Sequence, residues 1–354
     1  MDYIEVEGYK SIKKARIELK LINILIGANG SGKSNFLSFF EFLNKLYQQK
    51  LTEYVNISGG TEKFLHKGGK VTDKISAKIK FGLNDYSFEI NNGLNGFVFT
   101  REGLWYPNHN IKNPIEISNS SAEAQVKNSF VTRAYYIKEY LDSIKKYHFH
   151  DTGLNSPFSK FSNIENDIYF LYEKGDNIAA FLYELQEKHP INFERIVKII
   201  QSIAPYFSNF FLRPNDNKLV RLQWQDKFSS SVYGVNDLSD GTIRFIALTI
   251  LFMQPNLPAS IIIDEPELGL HPFAIAKLAG MIKSAASKKC QVIVATQSTE
   301  LISHFEPEDI ITVDQIDGES LFNRLNSESL AIWLEDYTID DLWKRSIIKG
   351  GQPN

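Results

Sequence analysis

The run Gly27-Ala28-Asn29-Gly30-Ser31-Gly32-Lys33-Ser34 joins glycines, a lysine and a hydroxyl in the spacing that cradles phosphate. Its glycines let the backbone curl, so that successive N–H groups point inward at an anion. A helix opening here adds the partial positive charge of its N-terminus. Lys33 then reaches the β- and γ-phosphates of a nucleoside triphosphate, and the Ser34 hydroxyl holds Mg2+. Asn29, Gly30, Ser31, Gly32 and Asn35 complete the set expected to bind the nucleotide. A chance glycine-rich turn is the competing explanation. The apolar run Ile22–Ile26 before the loop and the helical stripe after it argue against that.

A second piece of chemistry stands at Ser260-Ile261-Ile262-Ile263-Asp264-Glu265-Pro266-Glu267, a buried-type strand that ends in carboxylates. Open α/β sheets place ligands at the carboxyl ends of their strands. Asp264 fits a metal-holding position, and Glu265 fits the group that orients or deprotonates an attacking water. Two solvated acids would explain the run taken alone; the phosphate loop favours the functional reading. Leu238-Ser239-Asp240-Gly241 opens a long apolar helix, where Ser239 fits a helix cap. His148 and His150 alternate along an apparent strand with Asp151 adjacent. A metal site needs three or four ligands, so packing is preferred there to metal binding.

Elements that could hold these residues follow from periodicity. Strands are expected at Tyr3 to Glu7, Ala15 to Leu19, Ile22 to Ile26, Ile75 to Phe81 and Tyr86 to Ile90. A helix is expected over about 32–48, its stripe formed by Phe36, Phe39, Phe40 and Leu43. From Ser121 to Phe207 the texture turns helical, with one helix around 178–185 and another over 193–203 opened by Pro190. Beyond Asn209 strands return. The chain then alternates helix (241–253), strand (261–263), helix (273–287) and strand (291–295). Such alternation indicates an α/β fold with a parallel or mixed sheet. The expected organisation is a head built from 1–120 and 208–354, with an N-terminal antiparallel β part and an inserted helical lobe at 121–207.

Charge is nearly balanced, 39 Lys and Arg against 42 Asp and Glu, which excludes a histone-like basic binder. The lone Cys290 cannot form an internal disulfide and fits a cytoplasmic chain. No secretory signal is expected at Met1 to Glu5, and the longest apolar runs are too short to cross a bilayer.

The motif order resembles that of ABC-type ATPases: the phosphate loop, Leu238-Ser239-Asp240-Gly241 as signature, then Asp264-Glu265 as Walker B. Glu267-Leu268-Gly269-Leu270-His271-Pro272 then stands as the D-loop and Val294-Ala295-Thr296-Gln297-Ser298 as the switch strand. Within that class the chain resembles the SMC/RecF-like branch and the compact prokaryotic ATPases of phage-defence systems and the OLD family. The phrases Tyr147 to Thr152 and Trp333 to Tyr337 look like those compact ATPases too. Asp240 and Gln297 stand where transporter-type domains carry a second glycine and a histidine, which fits the soluble branch.

The resemblance implies ATP with Mg2+ held at Ser34 and Asp264, and hydrolysis with Glu265, Lys33 and Gln297 as catalytic residues. Gln297 would sense the γ-phosphate or water, its amide offering donor and acceptor; a plain polar residue at a strand end is the alternative. It further implies a homodimer, or a higher oligomer, in which Ser239, Asp240 and Gly241 of one copy close on the nucleotide of the other. The implied function is a dimerisation switch, the ATPase subunit of an anti-phage system that controls a separate nuclease or toxin. A RecF-like DNA-repair ATPase and a nucleotide-occupancy scaffold with negligible turnover remain alternatives.

Neither long coiled-coil arms nor a Toprim nuclease are expected. Tyr135, Tyr136, Lys138, Tyr140, Lys145, Lys146 and Tyr147 interleave aromatic and basic residues, and fit DNA or RNA contact as well as a solvated helix face. Lys10 would lie near the nucleotide or in solvent, Gly68-Gly69-Lys70 near the phosphates or in a plain turn. His271 would pack rather than titrate. Trp333, Leu334, Tyr337, Leu342 and Trp343 would dock an effector or pack on their own domain, and 350–354 would be disordered.

Overall fold

The computed structural model describes residues 1–106 and 114–350. The chain divides into two compact units. The first comprises Met1–Lys145, Ala259–Ile262 and the chain from Ile293 onward; the second comprises Lys146–Pro258 and Ile263–Val292.

An antiparallel sheet dominates the N-terminal part of the first unit. Its strands lie in the order Ile12–Glu18, Tyr3–Tyr9, Lys74–Phe81, Asn84–Gly93, Gly96–Trp105 and Ile115–Ser118. Alternation in the sequence sets its faces: in Lys74–Phe81, Ile75, Ala77, Ile79 and Phe81 are buried while the residues between them are more exposed. The helix Lys33–Tyr47 packs in the same core, with Phe36, Phe39, Phe40 and Phe42 fully buried. Tyr9 stands edge-on to Phe39 at 5.2 Å and to Phe42 at 5.5 Å, its hydroxyl 2.9 Å from Ser38 Oγ. Each such aromatic contributes about 1.5–3 kcal/mol by leaving water.

The second large sheet runs Glu319–Arg324, Ile310–Ile316, Ile22–Ile26, Gln291–Thr296, Ser260–Asp264 and Ile144–Tyr147. Ile310–Ile316 pairs in parallel with Ile22–Ile26 and antiparallel with Glu319–Arg324, so the sheet is mixed. Its inner strands are apolar without alternation, as strands covered on both faces must be. The expected α/β fold with an N-terminal antiparallel part is the one observed.

The second unit carries the helices Ile178–Lys188, Pro190–Ile203, Asp240–Met253 and Pro272–Ser287. A three-stranded antiparallel sheet of Phe207–Phe210, Gln223–Asp226 and Val232–Gly234 joins them, with Trp224 stacked between Phe207 and Tyr233.

The expected helical texture over Ser121–Phe207 is only partly observed. Helix Thr132–Asp142 is followed by the short strand Ile144–Tyr147, and turns fill most of the chain up to Ile178. Side chains there bond the backbone in place of a helical ladder. Asn163 Oδ1 accepts from Glu165 N and Asn166 N, and Asn177 Nδ2 donates to Asp167 O and Phe170 O. Among the described residues no helix is long and apolar enough to cross a membrane.

Candidate functional site

Strand Ile22–Ile26 delivers the chain into the glycine-rich loop, and the helix begins at Lys33. Gly30 (φ 80°) and Gly32 (φ 110°) occupy the left-handed region, which side chains with a Cβ avoid. A Cβ on Gly32 would also stand 1.9 Å from Ser320 Oγ and 2.8 Å from Ser11 Oγ. Lys33, only 5% exposed, lies inside the curl of the loop, donating to Gly27 O at 2.6 Å and Ala28 O at 3.0 Å.

The Ser31 hydroxyl is buried and has no hydrogen-bond partner among the described residues. A buried hydroxyl left so costs about 1–3 kcal/mol, which a phosphate oxygen in the loop would recover. Ser34 is exposed at the helix start and Asn35 half-buried, its Nδ2 donating to Ser11 Oγ at 2.8 Å. The loop residues present thus fit a bound phosphate group.

Gln297 Nε2 donates to Asn29 Oδ1 at 2.8 Å, bringing the expected switch residue onto the loop. Ser320 Oγ lies 2.7 Å from both Ser11 Oγ and Ser31 O, and Ser320 N donates to Ser11 O at 2.8 Å. Sequence reasoning missed this brace, since nothing in the text of the chain marks Ser320.

Two recesses adjoin the loop. One of about 540 Å³ is bordered by Lys10, Ser11, Asn35, Tyr54, Phe64 and Gly68; one of about 580 Å³ by Asn29, Ser31, Asp314, Ile316, Ile348 and Gly350. Lys10 Nζ reaches Ser38 Oγ at 2.9 Å and lies over the Tyr9 and Phe64 rings. Gly68 and Gly69 form a turn closed by Gly69 N on Glu62 Oε2, with a left-handed Gly68.

The strand Ser260–Asp264 ends at Ile263 and Asp264 of the second unit in a turn where Glu265 is left-handed (φ 41°) and Leu268 N bonds Glu265 O. Asp264 and Glu265 are both partly exposed. His148 and His150 follow the strand end at Tyr147, and they meet this turn. Their rings are 4.5 Å apart, and His150 Nε2 lies 2.9 Å from Asp264 O. Desolvation around His148, then His150 and Lys146, hold its pKa below the ordinary value, against the pull of Asp264. Among the described residues no cluster of three or more metal-binding side chains forms.

Ser239 caps the helix Asp240–Met253, its Oγ accepting from Thr242 N at 3.2 Å, and it is exposed with Asp240. A Cβ on Gly241 would stand 2.3 Å from Gly269 O, so the start of this helix and the turn at Gly269 touch through backbone. Arg244, on the same helix and 6% exposed, binds three carbonyls: Phe149 O at 3.2 Å, His150 O at 3.4 Å, and Leu268 O. Burial draws its pKa down against Asp240. His271 caps the helix Pro272–Ser287 through Nδ1.

Tyr135, Tyr136 and Tyr140 are exposed on helix Thr132–Asp142, with Tyr140 stacked on Phe81, whereas Tyr147 is buried. Leu342 is fully buried and Trp343 Nε1 donates to Gly350 O, while Trp333 is exposed. Gly350, expected to be loose, is held by Asp314 Oδ1 on its N–H. Residues 351–354, the rest of that expected disordered end, lie outside the described residues.

The fold is similar to that of the SmcHead bound to the C-winged helix domain of ScpA. The TM-score is 0.61 at 15% identity, covering 94% of this chain and 99% of the other. It is also similar to the Smc head domain with an extended coiled coil bound to the C-terminal domain of ScpA derived from Pyrococcus furiosus. There the TM-score is 0.60 at 15% identity, covering 95% and 98%. A comparison with curated proteins gave no match. Residues 22–303 match the family described as "AAA domain, putative AbiEii toxin, Type IV TA system". That stretch holds the phosphate loop, the signature turn, Asp264-Glu265 and Gln297, and the chain belongs to this family of AAA-domain proteins, built on an Smc-head fold.

Proposed function

We propose that the chain binds and hydrolyses ATP and works as a dimerisation switch, the ATPase subunit of a prokaryotic anti-phage system that acts on a separate effector. The observation that carries this reading is the glycine loop, with Lys33 folded inside it and the buried Ser31 hydroxyl lacking a partner. Backbone N–H groups of 29–34 and the Lys33 ammonium hold the triphosphate. Mg2+, when bound, would supply positive charge against the phosphates. On the family resemblance, Ser34 and Asp264 would hold that ion, Gln297 would orient the attacking water, and Glu265 would take its proton. Ser239 and Gly241, at an exposed helix N-terminus, close on the nucleotide of a second copy, with Asp240 beside them.

The family description names a toxin and a toxin–antitoxin system, which supports a role in defence with an effector. The two Smc heads are each bound to a ScpA domain, which supports a protein partner for this fold. The exposed tyrosines of helix Thr132–Asp142 favour a second reading, contact with DNA or RNA.

Phosphate release from ATP–Mg2+ tests the proposal. The wild-type chain is expected to turn over, Lys33→Ala to lose nucleotide binding, and Glu265→Gln to bind ATP while slowing by about 10²–10⁴-fold. Equal turnover by wild type and Glu265→Gln would contradict it.

A further inference from the structure

His150 lies in the phrase Tyr147 to Thr152 that resembles the compact ATPases, but the ATPase reading gives it no role, and its ring sits at the turn carrying Glu265. Its Nε2 is 2.9 Å from the Asp264 carbonyl, which can only accept, so Nε2 carries the proton. That carbonyl belongs to the peptide leading into Glu265, whose φ of 41° is left-handed. A residue with a Cβ stays in that region only when its surroundings fix it. The far end of the turn is fixed as well: Arg244 binds Leu268 O and, with the same guanidinium, Phe149 O and His150 O. The segment bearing His150 and the turn bearing Glu265 are thus tied at two points. The His148 ring, 4.5 Å away, flanks the imidazole.

We propose that His150 is a positioning residue for hydrolysis: its Nε2–H fixes the Asp264–Glu265 peptide and so aims the Glu265 carboxylate. The role rests on the ATPase reading above. It acts through Glu265, so it changes the rate of the chemical step and leaves nucleotide binding alone.

The test measures kcat and KM for ATP–Mg2+, with urea midpoints, for the wild type, His150→Ala and His150→Gln. The alanine variant is expected to lose about 10–100-fold in kcat with little change in KM, as a small misplacement of a reacting group does. Glutamine can set an amide N–H where Nε2 stood, and is expected to restore most of that loss at a similar urea midpoint. An active wild type with an equally active His150→Ala would overturn this role alone. Equal impairment of both variants, with KM raised alongside, would also overturn it. An inactive wild-type chain would overturn the ATPase reading and this role together.

Discussion

Lys33 folds into the glycine loop and donates to the Gly27 and Ala28 carbonyls. Its place in the loop was legible from spacing, a lysine after Gly-Ser-Gly and before a serine, and it is 5% exposed there. Gly30 and Gly32 were equally legible, because their left-handed angles demand glycine. Ser320 and His150 were not: each meets its site from a distant segment, and only the fold brings them there. Cys290 gives a test at this scale. It is 2% exposed, and burial pushes its thiol up to about 12. The native thiol therefore stays protonated at pH 7–9, where alkylation needs thiolate. Iodoacetamide labelling read by mass is expected to be absent in the native protein across that range, and complete in guanidinium. Stability linked to this thiol is intact below its unfolded pKa of about 8.5 and falls as pH rises from there towards about 12.

Among the elements, the periodic ones followed the sequence closely. Helix Lys33–Tyr47 appears where its phenylalanine stripe placed it, and Pro190 opens its helix at the first turn as proline does. The stretch between Asp142 and Ile178 did not, because apolar and aromatic residues there sit among asparagines and aspartates whose side chains bond the backbone into turns. Helix Asp240–Met253 is set by Ser239 capping and by the contact of Gly241 with Gly269 O. Gly241→Ala would force a methyl group to 2.3 Å from that carbonyl. A loss of about 1–3 kcal/mol is expected by urea denaturation, the usual cost of overpacking. An unchanged midpoint would contradict the close approach.

For the whole molecule, strand–helix alternation and motif order were enough to indicate an α/β head. The mixed character of the second sheet was less legible. Its partners come from far ends of the chain, such as Ile310–Ile316 beside Ile22–Ile26. The proposed closure of Ser239 and Gly241 on the nucleotide of a second copy makes a demand that no single chain can meet. The most direct measurement is the solution mass of Glu265→Gln by light scattering, with and without ATP–Mg2+. The account predicts a single copy without nucleotide and a doubled mass with it, abolished by adding Ser239→Arg. A mass that stays at one copy with ATP demonstrably bound, or a doubled mass indifferent to Ser239→Arg, would contradict it.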